Sequence, residues 1–201
     1  TKNINFKNFK FKKNNKKIKA DLGLLLKEVN KTIESLSPNY KNSYKKELIT
    51  KLKKYNHFRV IGMGGSILGT ESIYSFLKHK IKKNFYFVND LVTKNFFTKK
   101  INYINLIVSK SGNTLETISN SNIIIKKNDK NIFITEEKNS YLLSLAKKLK
   151  AEIVHHNNFI GGRFSILSEV GMLPAELMGL NEKKFKQINN VIKNKKFINQ
   201  L

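Results

Sequence analysis

The sequence predicts an α/β fold built on a doubly wound, mainly parallel sheet with flanking N- and C-terminal helices. Two observations carry this. Short apolar runs alternate with longer segments of helical spacing between residues 57 and 156, and the links between them are short. Two of those links, GMGGS (62–66) and SKSGNT (109–114), are rich in glycine and hydroxyl side chains and fall between a strand and a helix. A parallel sheet binds its ligands at such junctions, outside the carboxyl ends of its strands.

In order, residues 1–20 alternate Phe or Ile with Lys and Asn and read as a strand-like arm or a loose terminus. From Asp21, the residues Leu22, Leu25, Leu26, Val29, Ile33 and Leu36 recur at helical spacing, which predicts one amphipathic helix closed by Ser37-Pro38. A short helix follows around Leu48, Ile49 and Leu52. HFRVIGM is a buried strand, and residues 66–78 read as a helix with Ser66 at its N-cap. Strands are then predicted at 85–88, 104–109, 131–135 and 151–156, with helices at 93–99, 114–127 and 140–148 between them. After Phe159 the alternation stops. GGRFSILSEVGMLPAELMGL opens with glycines and continues as an apolar helix that bends or ends near Pro174 and Gly179; residues 181–200 read as a lysine-rich helix. This gives a basic helical extension over 1–55, an α/β unit over 56–160 and a connecting segment over 161–201.

The 201 residues can bury a sizeable core. With no cysteine, disulfides and thiolate metal sites are excluded. The basic N-terminal stretch lacks an apolar segment after it, and no apolar run is long enough to span a bilayer, so a cytoplasmic protein is expected. The net charge of +25 would suit a nucleic-acid partner. Lys, Asn, Ile and Phe are enriched together along the whole chain, however, as A/T-rich codons produce, so composition bias is the preferred reading over nucleic-acid binding.

Three loops carry chemistry. GMGGS lacks the full dinucleotide fingerprint and the Gly-Lys-Ser/Thr of a Walker loop, and reads either as a phosphate cradle or as a tight turn without a ligand. In the second loop Ser109, Ser111 and Thr114 supply hydroxyls, Lys110 a cation and Gly112 close backbone access ahead of a helix N-terminus, an inventory suited to a phosphate dianion; the competing reading is a capping turn. In the third, GGRFS, Arg163 is either an anion clamp or a surface arginine. Glu169 and Glu176 are expected to cap, to pair with lysines or to sit in an interface. His57, His79, His155 and His156 show no ligand spacing, and the adjacent pair should point to opposite faces of a strand.

Taken together and in order, GMGGSILG, SKSGNTLET and GGRFSILSEVGMLP resemble the glucose-6-phosphate isomerase family, whose elements read GxGGSxLG, SK(S/T)xxTxET and GGR(F/Y)SxLSxVGxLP. The resemblance covers residues 60–179. It implies a flavodoxin-like, sugar isomerase (SIS) type unit. By it, Gly65 and Ser66 lie against the sugar phosphate, Ser109, Lys110, Ser111 and Thr114 hold the phosphate, and Gly162 and Arg163 lie beside the reacting carbons. Arg163 would stabilise the enediolate formed as a proton moves between C1 and C2. No metal or redox cofactor is implied, and a homodimer is expected of the full-length enzyme. Family members are longer, with their catalytic glutamate, ring-opening histidine and late lysine beyond the GGRFS segment. No residue here matches those, so the chain resembles the first SIS subdomain without the general base. The alternatives are a non-catalytic SIS module that binds phosphosugars and a bifunctional phosphoglucose/phosphomannose isomerase, which shares the first two loops but less of the third.

Overall fold

The computed structural model describes residues 16–28, 30–92, 101–126, 128–188, 190 and 194. Five parallel strands form one sheet in the order β2-β1-β3-β4-β5: β1 His57–Gly62, β2 Asn84–Val88, β3 Ile104–Val108, β4 Lys130–Thr135 and β5 Glu152–His155. The chain starts beside the centre, steps out to β2, then returns across β1 to build β3, β4 and β5. The order therefore reverses between β1 and β3, which are direct neighbours with Gly62 opposite Val108. Their loops open on the same edge.

Strand alternation sorts the apolar residues onto two faces. On one, Ile61, Val88, Ile107 and Phe133 pack under α5 (Leu115–Ile124) and α6 (Tyr141–Lys148) through Ile124, Leu142 and Ala146. On the other, Phe58, Val60, Leu106, Ile134 and Val154 meet α3 (Lys46–Leu52), α4 (Leu68–Leu77) and α7 (Glu169–Leu177), with Leu48, Ile49, Leu52, Ile73, Val170, Met172 and Leu173 in the same core. Phe58, Val60, Leu106 and Phe133 are sealed from solvent. At the lower end of the first face the strands carry a polar rung: Arg59 Nη1 donates to Asn105 Oδ1 (3.4 Å), and Asn105 Nδ2 to Asn131 Oδ1 (2.8 Å).

Several predicted elements change shape. The single helix expected from Asp21 to Leu36 is two, α1 (Lys16–Lys27) and α2 (Lys31–Ser35). The break comes at Asn30, whose extended backbone and side chain, accepting from Ile33 N at 3.0 Å, start a new helix. Ser66 does not cap α4. It closes a 3₁₀ turn, Gly64–Ser66, in which Gly64 has φ +53° and Ile67 N bonds to Gly64 O; α4 starts only at Leu68. The third loop is likewise a 3₁₀ turn, Gly162–Leu167, before α7 begins behind its Ser168 cap.

Pro174 neither ends nor precedes the end of α7 by a break; the helix runs through it. The proline has no N–H for the carbonyl of Val170, and that carbonyl accepts the Thr70 hydroxyl from α4 instead (3.3 Å). The helix ends at Gly179, φ +87°, with Gly179 N bonded to Glu176 O and Leu180 N to Ala175 O. The expected helix over 181–200 is seen as α8 (Glu182–Phe185) and a 3₁₀ turn (Lys186–Ile188). Most of its remainder, and the helix expected at 93–99, lie outside the described residues. No described helix is long and apolar enough to cross a membrane.

Candidate functional site at the sheet switch point

All three loops gather at the carboxyl edge, where the strand order reverses. The loop after β1 and the loop after β3 stand side by side because their strands do. The third loop comes back over them from the far end of the sheet and packs its 3₁₀ turn on the turn at Gly64–Ser66.

The closest approach is backbone against backbone. A Cβ built on Gly65 would lie 2.6 Å from both Gly162 O and Arg163 N. Only glycine permits this contact, which sets Gly65, Gly162 and Arg163 in one small area. The Arg163 side chain is exposed, its guanidinium 5.1 Å from the Phe164 ring centre. Among the described residues no carboxylate forms a salt bridge with it.

The serine loop is built as a shallow cup. Gly112 takes φ +65° and packs against Ser140 and Thr135, the latter 3.0 Å from where its Cβ would be. Ser109 is buried, and its hydroxyl lies 3.0 Å from that of Thr114. Ser111 Oγ accepts from Asn113 N (3.2 Å), and Asn113 Oδ1 accepts from Tyr141 N (2.9 Å) at the start of α6. Thr114 occupies the N-cap of α5 but makes no side-chain cap bond. The first turn of α5 thus presents N–H groups and the positive end of the helix dipole to whatever sits in the cup.

Lys110 belongs to this loop, but its ammonium is already engaged. It donates to Asn158 O (2.6 Å), on the third loop, and lies 3.3 Å from Glu136 Oε1. It therefore ties the serine loop to the arginine loop and brings one net positive group beside the cup, partly offset by Glu136. Of the sequence candidates, Gly65, Ser66, Ser109, Ser111, Thr114, Gly162 and Arg163 are on or beside the three converging turns.

One cluster below the site escaped the sequence. Glu169 is fully buried, and its carboxylate accepts from Tyr40 Oη (3.0 Å) and Asn157 N (3.0 Å) and meets His156 Nδ1 at 2.8 Å. Burial alone would raise its pKa, but the bonds from His156 and Asn157 outweigh it and hold the carboxyl below its usual range. Burial, then the charge of Glu169, pushes the Tyr40 phenol up. The helix cap that was one expectation for Glu169 is supplied by Ser168. The pairing partner is a histidine, not a lysine. The sign in the sequence was a carboxylate at the head of a mostly apolar helix.

These features match known proteins. The phosphoglucose isomerase family model matches residues 12–199. Glucose-6-phosphate isomerase of Borreliella afzelii (strain PKo) is 36% identical over 156 residues, covering 68% of this chain and 29% of that protein. The same-named protein of Mycoplasmopsis pulmonis (strain UAB CTIP) is 32% identical over 192 residues, covering 83% of this chain and 42% of its own. The chain thus spans well under half the length of these relatives. Among solved structures, tagatose-6-phosphate ketose/aldose isomerase of Escherichia coli superposes with a TM-score of 0.55 at 14% identity, over 72% of this chain and 45% of that one, a likeness of fold. The strand order, the three converging turns and the family match lead to one assignment: the chain belongs to the phosphoglucose isomerase family.

Proposed function

We propose that this chain forms the phosphosugar-binding part of an enzyme that interconverts glucose 6-phosphate and fructose 6-phosphate through an enediolate. The approach of Gly65 to Gly162 and Arg163, beside the serine cup, is the observation that carries the reading. It joins the first and third loops, and the bond from Lys110 to Asn158 O joins the serine loop to the third.

The substrate phosphate sits at the head of α5, taking hydrogen bonds from the hydroxyls of Ser109, Ser111 and Thr114 and from free N–H groups of the first turn. The sugar runs from there toward Gly65, Ser66 and Gly162. As the C2 or C1 proton leaves, negative charge gathers on the C1 and C2 oxygens. Arg163, in no carboxylate salt bridge among the described residues, supplies the positive charge that this intermediate needs. Glu169 and His156 are sealed in the core and bonded to each other, so they do not serve as the base. We assign the base to a group outside these residues.

That assignment keeps a second reading in view, a phosphosugar-binding module without turnover. Purified chain added to fructose 6-phosphate, with glucose 6-phosphate read by a coupled assay, tests the binding that both readings share and the external base that the first requires. Saturable fructose 6-phosphate binding without turnover is the expected result for the chain alone. Turnover by the chain alone would refute an external base, and absence of any phosphosugar binding would refute both readings.

A further inference from the structure

The third loop has a base and a tip, and both are held. Its base lies between His156 and Asn157, at the end of β5, and Glu169, at the head of α7. One carboxylate joins the two ends: Glu169 Oε1 takes Asn157 N at 3.0 Å and His156 Nδ1 at 2.8 Å. Its other oxygen takes the hydroxyl of Tyr40 at 3.0 Å, 129 residues away in sequence. Just past the base, Asn158 O receives the Lys110 ammonium, and at the tip Gly162 and Arg163 lie against Gly65.

Packing alone does not ask for a carboxylate here. The neighbours on α7 (Val170, Met172, Leu173) are apolar and equally buried. A buried charge is costly unless donors surround it, and breaking one bond of such a group costs more than the bond itself. What a carboxylate adds is two acceptor oxygens that can hold a backbone N–H, an imidazole and a phenol in one fixed arrangement. The segment around Tyr40 is anchored as well. Lys186, itself buried, donates to Tyr40 O (2.8 Å), Asn42 Nδ2 to Glu182 Oε1 (2.7 Å), and Ser43 Oγ to His155 O (2.5 Å).

We propose that Glu169 is a positioning residue: its carboxylate, braced by Tyr40, clamps the base of loop 157–168 and so holds Gly162 and Arg163 in place against Gly65. For the ligand this rests on the phosphosugar reading above; for the loop it stands alone. The clamp should matter to a sugar that reaches the arginine loop and not to a bare phosphate that fills only the serine cup.

The test measures backbone amide hydrogen exchange on the whole chain, together with titrations of inorganic phosphate and fructose 6-phosphate. Glu169→Gln keeps the shape and loses the charge; Tyr40→Phe loses one hydroxyl and remains a folded control if the first variant fails to fold. In each variant, exchange in 157–168 should rise about tenfold while strands 58–62 and 104–108 stay within about twofold. Affinity for fructose 6-phosphate should fall about tenfold and that for inorganic phosphate by less than about twofold. Unchanged exchange in 157–168, or a rise shared equally by the strands, overturns the clamp. Equal loss of both ligands also overturns it, since the residue would then act through general stability. If the loop alone loosens but wild type binds neither ligand, the clamp is upheld and the phosphosugar reading falls.

Discussion

Gly65 is where the first and third loops touch backbone to backbone, so the proposed site rests on it. Its missing Cβ is what lets two backbones touch, and the added methyl of Gly65→Ala would meet backbone atoms that cannot rotate away. That substitution should lower stability by about 1–3 kcal/mol, typical of overpacking. It should also abolish measurable fructose 6-phosphate binding; thermal melts and calorimetry read the two effects. Arg163 and Lys110 should separate in a full-length enzyme. Under the proposed role, Arg163→Ala removes the charge that stabilises the enediolate, so kcat should fall more than KM rises. Lys110→Ala should weaken phosphate binding, and because its ammonium also holds Asn158 O, it should loosen the third loop. Steady-state kinetics on both variants checks this, and an unchanged kcat for Arg163→Ala would remove its proposed role.

Among the elements, the short helix α2 shows how a local signal overrides periodicity. Six apolar positions from Leu22 to Leu36 kept a helical spacing, yet Asn30 captures Ile33 N and restarts the chain. Asn30→Ala should cost about 1 kcal/mol, the usual worth of such a cap, seen as a lower midpoint in urea with an unchanged slope. The five strands were legible because each is a short apolar run set off by glycine, asparagine or lysine. The positions of the first two loops were legible because each is a glycine- and serine-bearing link between an apolar run and a helical one, and neighbouring parallel strands bring such links to one edge. The Gly64–Ser66 turn was not, since one positive φ decides between a cap and a 3₁₀ turn and no neighbouring residue advertises it. The Glu169 cluster was out of reach for another reason. Tyr40, His156 and Glu169 are brought together by tertiary packing of the 40–44 segment, β5 and α7, and nothing in their spacing marks them.

For the molecule as a whole, the sheet reversal and the charge act together. The reversal sets the proposed anion site between β1 and β3, on a chain whose net charge of +25 attracts anions at long range. Much of that attraction is screened within about 8 Å at physiological ionic strength. Phosphate affinity should therefore drop several-fold between about 0.01 and 0.15 M salt, with little change in the melting temperature. Calorimetric titration across that range checks it; an affinity indifferent to salt would mean that the cup acts through local N–H groups and hydroxyls alone. The Tyr40 anchor also has a consequence in time. The 40–44 segment leaves the ribosome first, but its partners Glu169 and Lys186 follow 129 and 146 residues later. At synthesis rates of about 5–20 residues per second, it waits about 6–30 seconds with its polar groups in water. Docking of this early-made stretch is thus a late event of folding, and the arginine loop is not locked until it happens.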